Sequence, residues 1–220
     1  ELWQKAIIHP KEDRHLNAVF SSLLGAIAST TAQPASAFNL AAQSKADLDR
    51  DSRPAPRVFK YAANVLAIDP VPGLYVDGGD GIRVANIAEK GRLAPSVLLG
   101  APWSDRTDDR ELAFELGKWL AYFRPERYLN FALQTLPKIE NAFLAALQAS
   151  GAGAGLELSA DATKLAAHIK SNTPTAVLEQ VGAVAQKLAG RVGNGLIINW
   201  RTATELTANR VGLILCDDLE

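Results

Sequence analysis

Glu111-Leu-Ala-Phe-Glu-Leu-Gly-Lys-Trp-Leu-Ala-Tyr122 is the stretch whose reading decides the fold of this chain. Leu112, Leu116, Leu120 and Phe123 recur every three or four residues, so the segment predicts an amphipathic helix with one apolar stripe. Asp108, three residues before Glu111, gives the helix start capping-box character. Arg124-Pro125 gives the stop, because proline lacks an N–H and crowds the preceding turn. Within this frame Lys118, Trp119 and Tyr122 stand among the small and apolar residues Gly117, Leu120 and Ala121.

About ninety residues later comes Glu205-Leu-Thr-Ala-Asn-Arg-Val-Gly-Leu213. Together the two segments resemble zinc metallopeptidases of the zincin, and more narrowly gluzincin, type. The nearest pattern is that of the membrane-associated heat-shock proteases and the CAAX prenyl endopeptidases. Such enzymes carry His-Glu-x-x-His on one helix, commonly as Gly-His-Glu-Leu-Ala-His, and a third ligand within Glu-x-x-Ala-Asp-Arg on a later one. Gly117, Leu120 and Ala121 match the first motif, while Lys118 and Tyr122 occupy the histidine positions and Trp119 that of the glutamate. Glu205 matches the later ligand and Arg210 its arginine, and Asn209 replaces the aspartate that would orient a ligand histidine. The resemblance covers roughly residues 61–220.

Two histidines at i and i+4 present two nitrogens to zinc from one helix face, and the glutamate between them polarises the attacking water. A lysine ammonium repels a metal, an ordinary tyrosine phenol is a poor zinc ligand, and an indole is neither base nor ligand. The resemblance therefore implies a degenerate HExxH site at Lys118, Trp119, Tyr122, Glu205 and Asn209, with no catalytic residue, metal or cofactor. It implies a predominantly helical α+β fold, zincin-like helices packed beside a small sheet or hairpin, and a helical N-terminal extension. By position, Ser96, Val97, Leu98 and Leu99 are the strand that would edge a substrate groove. With no zinc to neutralise Glu205, Lys118 is expected to pair with it, with Tyr122 or Asn209 as a further partner.

Composition narrows the classes. With 48% hydrophobic and 21% charged residues, the chain has ample material for a core and reads as soluble and globular. A formal net charge of −1 and the lack of a basic run give no electrostatic case for nucleic acid. No apolar stretch approaches the roughly twenty residues needed to span a bilayer. Cys216 is the only cysteine, so no intrachain disulfide forms, and its apolar surroundings predict a buried, inert thiol. No signal peptide opens the chain, which favours a cytoplasmic setting. The sequence begins at Glu1 and contains no methionine, as expected of a piece of a longer protein.

Along the chain, residues 1–29 read as helix around a break at Pro10, 30–36 as a small-residue linker, 37–48 as a short helix and 57–67 as a helix. These elements suggest a division, with residues 1–58 a helical segment, the end of an upstream helical region, and 59–220 the metallopeptidase-like domain. Leu74–Val76 and Ile82–Ala85 flank Asp77-Gly-Gly-Asp-Gly81, a hairpin signal, and Ser96–Gly100 reads as a further strand. Helices are expected over 126–149 around Pro137, over 161–171 with Ser159 or Asp161 as cap, over 174–188, and from about 196 to 215. His9, His15 and His168 are scattered, and His168 has no metal-ligating residue at i±4.

These readings converge on a pseudoenzyme: a non-catalytic, metallopeptidase-like, protein-binding or scaffolding module of a larger bacterial protein. Its partner is an unidentified protein or the upstream domains of the same parent chain. Two rivals stand beside it. One is an active hydrolase or metallopeptidase using residues outside the motif; the other is a plain helical structural module.

Overall fold

The computed structural model describes residues 7–193 and 195–217. Helices take up 58% of it, beside one three-stranded and one two-stranded sheet, so the chain is predominantly helical α+β. In chain order the helices are α1 (Arg14–Ala28), α2 (Pro54–Val65), α3 (Ala101–Ser104), α4 (Asp109–Leu120), α5 (Leu129–Leu133), α6 (Leu136–Ala149), α7 (Ala160–Asn172), α8 (Thr175–Ala189) and α9 (Leu196–Cys216). The strands are β1 (Gly73–Asp77), β2 (Ile82–Ala85), β3 (Ala88–Glu89), β4 (Arg92–Leu93) and β5 (Ser96–Gly100).

Local chemistry explains most boundaries. The Asp13 carboxylate accepts from the His15 and Leu16 N–H groups, and that of Asp108 from the Arg110 and Glu111 N–H groups, fixing the starts of α1 and α4. Ser159 caps α7 through the Ala162 N–H. Pro54 and Pro137 sit in the first turns of α2 and α6, where a missing N–H costs nothing. Pro137 thus opens a helix where the sequence suggested an interruption. Residues 37–48 form two short 3-10 turns, Ala35–Phe38 and Ala42–Ser44, in place of the expected helix. The first part of the helix expected over 1–29 lies outside the described residues.

The chain forms two interleaved compact units. Of the described residues, unit 1 contains Ala32–Arg124 with 7–8 and 205–217; unit 2 contains His9–Thr31 and Pro125–Thr204. The boundary expected at 58/59 instead falls inside α2. Val58, Phe59 and Ala62 are buried with Leu74, Val97, Leu99, Leu112 and Leu116 in the main core of unit 1, so α2, the sheet and α4 share one core.

In unit 1 the three-stranded sheet has the order β1-β5-β2. β5 runs parallel to β1, from Gly73↔Ser96 to Asp77↔Gly100, and antiparallel to β2, from Ile82↔Leu99 to Ala85↔Ser96. β1 and β2 therefore do not form the hairpin that Asp77–Gly81 suggested. The five-residue turn is wide enough for β5 to enter between its arms: Gly100 N–H donates to Gly81 O at 2.9 Å and Ala101 N–H to Gly79 O at 3.1 Å. A Cβ at position 100 would lie 2.1 Å from Gly79 O, so only glycine fits there. The same topology corrects the expected groove edge: Ser96, Val97, Leu98 and Leu99 lie on the central strand, buried and flanked on both sides. No substrate backbone can pair with a strand whose two edges are already occupied.

Unit 2 is helical. Leu16, Val19, Phe20, Leu23 and Ile27 of α1 are buried, and α1 packs against α5, α7 and α8. Trp200 of α9 meets the Phe20 ring edge-on, with centroids 5.1 Å apart, and its Nε1–H donates to Asn17 Oδ1 at 2.7 Å. Asn17 in turn donates to the carboxylate of Glu12 at 2.7 Å, and Glu12 forms an ion pair at 2.9 Å with the fully buried Arg127.

Two substitutions test the β5 insertion by urea unfolding. Gly100→Ala should cost about 2–3 kcal/mol, because backbone rather than a flexible side chain must move. Gly78→Ala, which meets nothing within 4 Å, should stay within about 0.5 kcal/mol of the parent. Equal effects at both positions would contradict the insertion.

Candidate functional site

Two glycines set the packing of α4 against the second half of α9 in unit 1. A Cβ on Gly117 would come within 2.4 Å of a Leu215 methyl group, and one on Gly212 within 2.7 Å of Phe114 O. These contacts pair 114 with 212 and 117 with 215, so the helices run in the same direction where they touch. Ala208, Val211 and Cys216 reach the core from this half of α9, while Leu206, Leu213 and Ile214 face outward.

That register decides where the degenerate-site positions fall. Lys118 is level with Cys216, three turns of helix and about 16 Å along the axis from Glu205. Glu205 is exposed, Lys118 and Asn209 are half-buried, and Trp119 and Tyr122 pack partly buried against the unit 1 core. Among the described residues no ion pair or hydrogen bond joins Lys118 to Glu205. The expected compensating pair is therefore not formed. Its physical cause is the glycine contact, which fixes the helix register three turns away from a facing arrangement. Arg210, also matched to the motif, donates to Ile8 O at 3.4 Å. Among the described residues no group of three His, Cys, Asp or Glu side chains is placed to hold a metal ion.

The packing does create a pocket of about 360 Å³ in unit 1, lined by residues of α2, α4 and the end of α9. Val58, Tyr61, Ala113, Leu215 and Cys216 give it an apolar lining. Arg57 and Asp109 stand at it as an exposed pair, with Nη2 2.7 Å from the carboxylate, and Arg110 lies alongside. Tyr61 is 60% exposed and Val65, one turn further on the same face of α2, is 53% exposed. Leu213 and Ile214, just before the two α9 residues that line the pocket, are 38% and 51% exposed. Singly exposed apolar residues are ordinary, whereas several beside a concave apolar surface mark an interaction site. The sequence showed the helices but not this pocket, because Tyr61 and Leu215 are brought together only by tertiary packing.

Unit 2 holds a Ser–His–Asn cluster in the order of a nucleophilic triad, at distances longer than the roughly 2.6–3.2 Å of a nucleophile–base hydrogen bond. Ser29 Oγ lies 3.5 Å from His168 Nε2, and Asn172 Nδ2 lies 3.3 Å from His168 Nδ1. The arrangement is not that of an activated serine. The Asn172 amide nitrogen donates to His168 O at 2.9 Å and to Ser171 Oγ at 3.0 Å, so its two protons are already engaged away from the imidazole. The Ser29 hydroxyl donates its single proton to Ala26 O at 3.0 Å rather than to His168, and so keeps it. Burial of Tyr128 in this unit pushes its phenol well above the usual range, so it too stays protonated.

Comparison with family models, with curated proteins and with solved structures found no match to this chain.

Lys118→Ala should lower stability by less than about 1 kcal/mol, because no buried partner is stranded. A loss of about 3 kcal/mol or more would indicate an ion pair that the geometry does not contain. Ser29 should resist labelling by a fluorophosphonate probe under conditions that label an active serine hydrolase. Stoichiometric modification at Ser29 would show an activated serine and contradict this reading of the cluster.

Proposed function

We propose that this chain is a non-catalytic protein-binding module, and that the pocket between α2, α4 and the end of α9 receives an apolar side chain of its partner. The observation that carries this reading is the exposure of Tyr61, Val65, Leu213 and Ile214 beside an apolar pocket in unit 1. A pocket of that volume accommodates one or two large apolar residues, the kind of anchor that dominates protein interfaces. The exposed Arg57–Asp109 pair supplies polar groups of both signs, as an interface rim does.

The metallopeptidase-like descent belongs to the same proposal. In its favour are the motif frame at Gly117, Leu120 and Ala121, and the direct packing of that helix on the later helix beside a sheet. The position of Glu205, three turns from Lys118, counts against that descent, because the two motif segments do not face each other. Lysine, tryptophan and tyrosine at the motif positions offer no replacement for a general base or a metal ligand.

Selection from a random peptide library tests the binding role. Peptides with paired large apolar residues should be enriched, and Tyr61→Glu or Leu213→Glu should weaken their binding at least tenfold while the protein stays folded. Binding untouched by both substitutions would move the site elsewhere. Chelator-sensitive cleavage of casein, together with about one tightly held zinc per chain, would contradict a non-catalytic module.

A further inference from the structure

The chain crosses between the two units four times, after Ile8, Thr31, Arg124 and Thr204. Three of these crossings are tied, inside unit 2, to the fourth. Just past the Arg124 crossing, Arg127 forms the buried ion pair with Glu12, four residues past the first crossing. Asn130 Nδ2 donates at 3.2 Å to the buried Thr204 Oγ1, at the last crossing. Thr31 Oγ1, at the second crossing, donates to Ala132 O at 2.8 Å. Residues 127–132 are therefore a hub to which each of the other three exits is bonded. Unit 1 has one tie of its own: Arg210, six residues beyond the last crossing, donates to Ile8 O at the first. The last crossing is made by uninterrupted helix, since α9 runs from Leu196 to Cys216 without a break.

We propose that this polar clasp is a coupling device that makes the two units fold and unfold as one. Regions of a protein open independently when few interactions bind their connections together. Here opening unit 2 releases all four connections at once, and with them the half of α9 that carries Ala208 and Val211 into the core of unit 1. Buried charge and amide groups suit the task, because their partners lie at defined positions and removing one partner is costly. An apolar hub would hold the same segments with less regard for register. The proposal does not depend on the binding role assigned to the pocket.

The test is unfolding of the full chain in urea, followed by amide hydrogen exchange at core positions of each unit. Leu74, Val97 and Leu99 report on unit 1, and Leu23, Ala142 and Ala146 on unit 2. In the parent protein both sets should lose protection at one shared midpoint. The combined variant Glu12→Leu, Arg127→Met and Thr31→Val removes two ties, taking out both members of the Glu12–Arg127 pair and leaving Glu126, 3.2 Å from Arg127, without that partner, and should split the transition into two midpoints. Thr31→Val alone should fold and separate the two sets by a smaller amount, which keeps the test decisive if the triple variant fails to fold. Two midpoints in the parent, or coincident midpoints in Thr31→Val and the triple variant, would overturn the proposal.

Discussion

The structure depends most on one buried ion pair, Arg127 with Glu12. Both side chains are fully enclosed in unit 2. Their attraction barely offsets the cost of removing two charges from water, so the pair adds little net stability. Its consequence is specificity. Arg127 is presented by the segment leading into α5, and Glu12 by the turn before α1. Only one relative placement of those segments lets Glu12 also accept from Asn17, whose side-chain oxygen accepts from Trp200. That chain of bonds seats Trp200 against Phe20, and so fixes the first half of α9 within unit 2.

Unit 1 is ordered by a different constraint, close approach of backbone at glycine. Gly100 lets the end of β5 enter the Asp77–Gly81 turn, and Gly117 with Gly212 lets α4 and α9 touch. The first choice makes β5 the central strand and buries it. The second fixes the helix register, and with it the pocket that Tyr61, Ala113 and Leu215 line. The proposed binding role thus rests on the packing, with exposed apolar side chains left where α2 and the end of α9 meet solvent.

Local features of the fold were legible in the sequence because their causes are local. Caps at Asp108 and Ser159, the stop at Pro125 and apolar periodicity locate most helices within a few residues. The β1, β2 and β5 segments were legible for the same reason. Their order was not, because a glycine-rich turn signals a reversal of the chain without saying whether the two arms pair directly. The β3–β4 hairpin passed unseen, since its turn at Lys90-Gly91 lacks the asparagine or aspartate that makes such turns conspicuous. The boundary at 58/59 failed because a proline-bearing polar stretch resembles a linker even when the helix after it joins the core of the sheet and α4.

The candidate site was legible least of all. Lys118, Trp119, Tyr122 and Glu205 were singled out by motif position, yet position in a motif carries no information about helix register in this fold. That register is set by Gly117 and Gly212, which the motif comparison treated only as frame. The pocket joins residues as far apart in the chain as Tyr61 and Leu215, and no spacing rule finds such a pair. Nuclear magnetic resonance mapping of a library-selected peptide on the labelled chain tests the central claim most directly. The account predicts that amide shifts concentrate at Tyr61, Ala113 and Leu213–Cys216. Shifts concentrated at Lys118, Tyr122 and Glu205, or spread through unit 2, would contradict it.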